Sequence, residues 1–226
     1  PFTLINNNIT GLSEANETNW DGILLTSLSV GSLSQDNIID GTNLSQSEGY
    51  EVWNVKNTKP AVINGGSVRG VKYGLSVNNF AGYNSDATDG AHAIVSKLSV
   101  NNCQNGILIQ DDPMSSHALV HALIQDDCEM INAGTGTGLL ITGAKSSVNL
   151  NENDASIHGF TIGVDVDGGT ATITNNHIYE NGTGIRVSNG GILNSTFGNL
   201  INSNSTDGIR IEGSAGSIGV INNNDL

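Results

Sequence analysis

Eight times along this 226-residue chain a glycine precedes a short apolar alternation: Gly22-Ile-Leu-Leu25, Gly49-Tyr-Glu-Val52, Gly74-Leu-Ser-Val77, Gly106-Ile-Leu-Ile109, Gly138-Leu-Leu-Ile141, Gly163-Val-Asp-Val166, Gly184-Ile-Arg-Val187 and Gly208-Ile-Arg-Ile211. Successive glycines are 27, 25, 32, 32, 25, 21 and 24 residues apart. Neighbouring side chains of a strand point to opposite faces, so each triplet reads as a short strand with its first and third residues on one side. A strand this short cannot bury that side alone. Its return every 21 to 32 residues predicts a stack in which each copy covers the next.

A second motif lies upstream of several of these glycines. Val68-x-x-Val71-x-x-Gly74, Val100-x-x-Cys103-x-x-Gly106, Ile157-x-x-Phe160-x-x-Gly163 and Ile178-x-x-Asn181-x-x-Gly184 align without gaps. Cys128-x-x-Ile131-x-x-Gly134 joins them if Thr135 to Gly138 is an insertion. A third apolar stretch falls near the middle of many repeats, as in Thr170-Ala-Thr-Ile-Thr174. This predicts three strands per turn of chain. The 29 glycines and 31 asparagines gather between them, at corners where positive φ is wanted. No window carries a 3.6-residue apolar period, so little or no helix is expected. A thin core suits small aliphatics, which agrees with 37% apolar but only 4% aromatic residues.

The stretch Asn175-Asn-His-Ile-Tyr-Glu-Asn-Gly-Thr-Gly-Ile-Arg-Val187 resembles the commonest repeat of the right-handed parallel β-helix family, which includes pectin and alginate lyases, epimerases, phage tailspikes and surface adhesins. The resemblance covers residues 60–226 well and 1–59 loosely. The fold expected is all-β: a right-handed single-stranded parallel β-helix of eight to nine coils, a solenoid about 40 Å long. Residues 1–226 are expected to form one domain, the coils in 1–59 being less regular. The resemblance specifies a fold and leaves the activity open.

Eight basic residues against 22 acidic ones give a net charge of −14. That excludes nucleic acid and anionic membrane surfaces as partners, since both need clustered Lys and Arg. No apolar run approaches membrane-spanning length. The chain starts at Pro1, and Ile218-Gly-Val-Ile221 begins a further strand, so the expectation is a segment of a longer or processed protein, working outside the cell or at its surface.

The outward positions are where function would show. The middle triplet position runs Leu24, Glu51, Ser76, Leu108, Leu140, Asp165, Arg186, Arg210; the next outward row runs Thr26, Trp53, Asn78, Gln110, Thr142, Asp167, Ser188, Glu212. Asp165, Asp167, Arg186, Arg210 and Glu212 form the densest charged cluster. They could hold Ca2+ and a uronate, or simply pair across strands, Asp165 with Arg186 and Arg210 with Glu212. The family's Tyr-Gly-x-Asp-Pro-His epimerase motif is absent.

Trp53, Tyr73 and Tyr83, with Trp20 and Phe80, suggest a sugar-stacking platform or a cap closing the first coils. Asp111, Asp112, Asp126 and Asp127 offer loop carboxylates for Ca2+ in a spacing that matches no known calcium repeat. The five histidines are scattered. Cys103 and Cys128 fall out of register in neighbouring coils, which favours two buried thiols over a disulfide.

The leading expectation is a non-enzymatic, extracellular structural or adhesive module, with carbohydrate binding as an option and with a polysaccharide, neighbouring copies or flanking domains as partners. No cofactor is expected beyond optional Ca2+. The alternatives are a lyase, epimerase or hydrolase acting on acidic glycans through the Asp165–Arg210 face, and a tailspike segment.

Overall fold

The computed structural model describes residues 2–11, 20–26, 32–53, 59–79, 90–113, 119–151, 156–213 and 217–222. Among them there is no helix. The strands form two sheets, of nine and fourteen strands, whose ladders are all parallel. An isolated antiparallel bridge joins Thr142 and Gly168.

Successive strands of the nine-stranded sheet come from successive repeats: Thr3–Ile5, Leu33–Gln35, Ala61–Asn64, Ala91–Ser96, Val120–Gln125, Ser146–Asn151, Thr170–Thr174, Ile192–Phe197 and Ser217–Asn222. The other sheet carries two series. One holds the glycine triplets, for example Asn105–Asp111, Thr137–Thr142, Ile162–Asp167 and Thr183–Ser188. The other holds the shorter upstream strands Ser99–Asn101, Glu129–Ile131, Ser156–His158, His177–Tyr179 and Leu200–Asn202. In Ile38–Trp53 and Ser67–Asn79 the two series run together as one long strand. Each repeat thus contributes one strand to each of three stacked series.

The triplets stack in register. Ile23, Tyr50, Leu75, Ile107, Leu139, Val164, Ile185 and Ile209 are consecutive pairing partners. From Tyr50 to Ile185 these side chains are at most 1% exposed. Each contributes about 1.5–3 kcal/mol of burial. The third triplet positions make a parallel column from Leu25 to Val187, all 0% exposed. Tyr50 is the one large member, and its hydroxyl reaches Ser34 Oγ at 3.0 Å.

The repeat glycines are required for space. None of the seven from Gly22 to Gly184 has a positive φ, contrary to a turn role. A Cβ on Gly49, Gly138 or Gly163 would lie 2.6 Å from the carbonyl oxygen of the next repeat glycine, on Gly74, Gly163 and Gly184 respectively. The backbones approach too closely there for any side chain. Positive φ instead occurs at the corners, at Asn6, Asp36, Lys97, Asn175 and Gly198 among others.

Buried asparagines close several corners. Asn181 is 2% exposed; its Nδ2 donates to Ile157 O and Tyr179 O, both at 3.0 Å. Asn176 and Asn199 make a second such pair, with the Asn176 backbone N–H donating to Asn199 Oδ1 at 2.9 Å.

One alignment is corrected. Met130, not Cys128, pairs with Val100 and Ile157, so Ile131 does not occupy the Cys103 position. This repeat carries an extra residue at its Asp126–Asp127 corner and two more before Gly138, which shifts the apparent match. Cys103 and Cys128 are both buried thiols outside any disulfide, and burial pushes each thiol pKa up to about 11.

Candidate functional site

The outward face of the triplet sheet is more covered than outward positions suggest. In the middle row Glu51 is 5% exposed, Ser76 0%, Leu108 5% and Asp165 3%, whereas Leu24 is 40% exposed. Asp165 and Arg186 are in-register partners. Arg186 Nε donates to Asp165 Oδ1 at 3.0 Å and Nη2 to Oδ2 at 2.5 Å. This two-bond clamp raises the guanidinium pKa and occupies both carboxylate oxygens. Asp167 accepts from Ser188 Oγ at 3.2 Å and Asn189 Nδ2 at 2.5 Å. Arg210 sits 3.4 Å from Glu212 and 3.8 Å from Asp207, at a more exposed position. The structure brings the five charged residues onto one face, four of them as the ion pairs Asp165–Arg186 and Arg210–Glu212, with Asp167 held by the neutral Ser188 and Asn189. A base committed to a bidentate arginine is poorly placed to take a proton from a substrate.

A different cluster stands out nearer the start of the chain. Asp21 pairs in register with Glu48, and Leu24 with Glu51. One oxygen from each of Asp21, Glu48 and Glu51 lies within 4.8 Å of the other two. Burial first, and then the neighbouring carboxylates, push Glu48 up to about 7 and Glu51 up to about 8; Asp21 is also raised, again by burial. Asp21 and Glu51 share a hydrogen bond, the Ser76 hydroxyl donates to Glu48, and Glu48 Oε2 is buried without a partner among the described residues. Three carboxyls this close cannot all ionise in a poorly solvated site. They share protons or accept a cation. Among the described residues no other trio of His, Cys, Asp or Glu comes as close.

Two aromatic residues singled out from sequence flank this trio. Trp53 ends the same strand as Glu51, its indole N–H facing the Glu51 carboxyl. Tyr73 pairs with Glu48, and Lys72 Nζ lies 5.1 Å from its ring centroid. Both rings are half-buried. Trp20 packs against the core, as a cap would. Tyr83 and Phe80 lie outside the described residues.

The four aspartates expected as Ca2+ ligands are not assembled. Asp111 ends the triplet strand Asn105–Asp111 and accepts from Asn79 Nδ2 at 2.8 Å, while Asp112 N donates to Asn79 Oδ1 at 2.7 Å. Asp126 and Asp127 turn the corner after Val120–Gln125, in the other sheet. The histidines do meet in part: His158 and His177 each stack on Tyr179, with ring centroids 4.6 and 4.0 Å away.

The acidic trio escapes the sequence because its members lie in different rows. Asp21 and Glu48 both precede a repeat glycine, and two acids in successive layers of that region are the available signal. Chemically, the trio with Trp53 and Tyr73 can accept hydrogen bonds from sugar hydroxyls, donate a proton, or ligate a hard cation. No protein-family model matches the chain, and a search of curated proteins finds no significant match.

Proposed function

We propose that the chain is a right-handed parallel β-helix serving as an extracellular structural or adhesive module, part of a surface assembly, with carbohydrate recognition at the Trp53–Tyr73 edge. The observation supporting the solenoid is the unbroken register from Ile23 to Ile209 through all eight triplets. Parallel strands joined by short corners favour the right-handed sense. Supporting the non-enzymatic reading, the Asp165–Arg186 face is spent on internal pairs, and the outward rows vary in chemistry from layer to layer. A stack whose backbone bonds are satisfied along its length holds loops rigidly, which suits adhesion.

The test is incubation with neutral and acidic polysaccharides, with and without Ca2+. Saturable binding without turnover, lost in Trp53→Ala, supports the adhesive reading. Formation of an unsaturated uronate, abolished in Arg186→Ala, would overturn it in favour of a lyase.

A hydrolytic alternative is favoured by one observation, the pair Glu48 and Glu51 with carboxyl pKa values raised to about 7 and 8. A carboxyl kept protonated near neutrality beside a second carboxylate is the arrangement glycoside hydrolysis uses. Release of new reducing ends, lost in Glu51→Gln, would establish it.

A further inference from the structure

The outer face of the nine-stranded sheet carries a feature separate from the acidic trio. Leu33, Val62, Ile94 and Leu123 are in-register neighbours forming a half-buried aliphatic row. The row ends at Leu123, whose next partner is Asn149. Beside that step is a hollow of about 330 Å³ lined by Leu123, Gln125, Asp126, Asn151 and Thr174. Its volume falls at the lower end of small-ligand sites.

The polar atoms of the hollow are only partly committed. Thr174 Oγ1 donates to Asn151 Oδ1 at 2.9 Å, and among the described residues both hydrogens of Asn151 Nδ2 stay available. Gln125 Nε2 donates to Asp126 Oδ2 at 3.2 Å and reaches Ser96 Oγ at 3.5 Å, leaving Gln125 Oε1 and Asp126 Oδ1 as acceptors. Donors and acceptors therefore sit together above Leu123 methyl groups. A pair of adjacent hydroxyls, each of which donates and accepts, is the complement of that set, and the CH face of a sugar ring packs on an aliphatic floor. Among the described residues the lining holds one carboxylate and no cation, which disfavours an acidic sugar.

The corner that carries Asp126 is itself unusual. Ser96 pairs with Gln125 and Ser99 with Glu129, so three residues span a corner that the previous repeat turns with Lys97 and Leu98. Asp126 and Asp127 are successive non-glycine residues at φ 53° and 59°. Left-handed backbone at a side-chain-bearing residue is costly. Asp126 itself holds the first corner position, as Lys97 does one layer earlier, and its side chain lines the hollow; the extra residue follows it.

We propose that this hollow is a binding subsite for a neutral, hydroxyl-rich sugar ring, held by Asn151, Gln125 and Asp126 over Leu123. The subsite deepens the carbohydrate-recognition part of the reading above and rests on it. It lies on the other sheet from Trp53 and Tyr73, so the two sites can fail separately.

The experiment titrates the isotope-labelled chain with methyl glycosides of neutral hexoses and their short oligomers, with an oligogalacturonate as the acidic comparison. Saturable shifts of the Gln125 and Asn151 side-chain amide resonances are expected with at least one neutral glycan. Asn151→Ala and Asp126→Asn should each raise Kd about tenfold with an unchanged unfolding midpoint, while Trp53→Ala leaves this Kd unaltered. If Asn151→Ala impairs folding, Thr174→Val serves as the second variant with the same expected weakening. Absence of saturable shifts with every neutral glycan, shifts with the oligogalacturonate alone, or a Kd indifferent to these substitutions overturns the subsite. Trp53-dependent binding that survives such a result leaves the wider adhesive reading standing; loss of all glycan binding removes both.

Discussion

Asn204 lies one layer from Asn181 at the same corner, and its Oδ1 accepts the Asn181 backbone N–H at 3.0 Å. Asn181 repeats the gesture toward the layer before, its own Oδ1 accepting the Phe160 N–H at 3.0 Å. Each side chain thus replaces a backbone partner that the turning chain cannot supply. A buried peptide group left unpaired costs about 1–3 kcal/mol, so these amides hold the corner geometry as well as filling it.

Asn181→Ala should therefore lower unfolding free energy by about 2–3 kcal/mol, read by urea denaturation. Asn194 is exposed, and Asn194→Ala should change stability by less than about 0.5 kcal/mol. Equal effects at the two positions would contradict the corner role.

The glycine ladder makes a sharper contrast. A Cβ at Gly163 would meet Gly184 O at 2.6 Å and Ile178 Cγ2 at 2.8 Å, whereas one at Gly213 meets nothing within 4 Å. Gly163→Ala should cost about 1–3 kcal/mol by forcing layers apart. Gly213→Ala should be near neutral. Thermal unfolding of the two variants decides it.

The triplets are readable in the sequence because a period of two and a fixed preceding glycine survive changes in repeat length. Asn181 is readable because it stands where Phe160 stands one repeat earlier. Burial of the outward row is not: nothing in the residues Ser76 or Glu51 announces exposures of 0% and 5%. The Cys128 register fails because two small insertions, at the Asp126–Asp127 corner and before Gly138, flank a three-residue strand with no glycine to anchor it. The acidic trio needs cross-layer register between Asp21 and Glu48 together with a third acid three residues further on, and single-row reading separates them.

The trio makes stability depend on pH with a definite sign. Glu48 and Glu51 have an ordinary value of 4.5 and folded values of about 7 and 8. The folded chain binds more protons than the unfolded chain in that window, so this contribution is complete below about pH 4.5 and is lost as pH rises through 7 and 8. Stability should fall by several kcal/mol between about pH 5 and pH 9, with about 7 kcal/mol as the upper bound from the two shifts. Glu48→Gln with Glu51→Gln should flatten the profile. A rise in stability over that range in the parent chain would contradict the shared-proton account.

The Asp165–Arg186 clamp is partly desolvated, its carboxylate 4% and its guanidinium 33% exposed. Arg186→Ala strands a buried carboxylate and should cost about 2–3 kcal/mol, less than a fully buried pair because the arginine keeps some solvent. Arg210, 52% exposed, should contribute less than about 1 kcal/mol. Denaturation of both alanine variants at low and high salt tests the difference, the Arg210 effect alone fading as salt screens it.

The layered column is tested most directly by methyl–methyl contacts in solution, measured by nuclear Overhauser effects on a methyl-labelled chain. Contacts are expected from Ile107 to Leu139, from Leu139 to Val164 and from Val164 to Ile185, each methyl group touching only the layers on either side. Absence of that succession, or contacts joining Ile107 directly to Ile185, would contradict the stack and everything built on it.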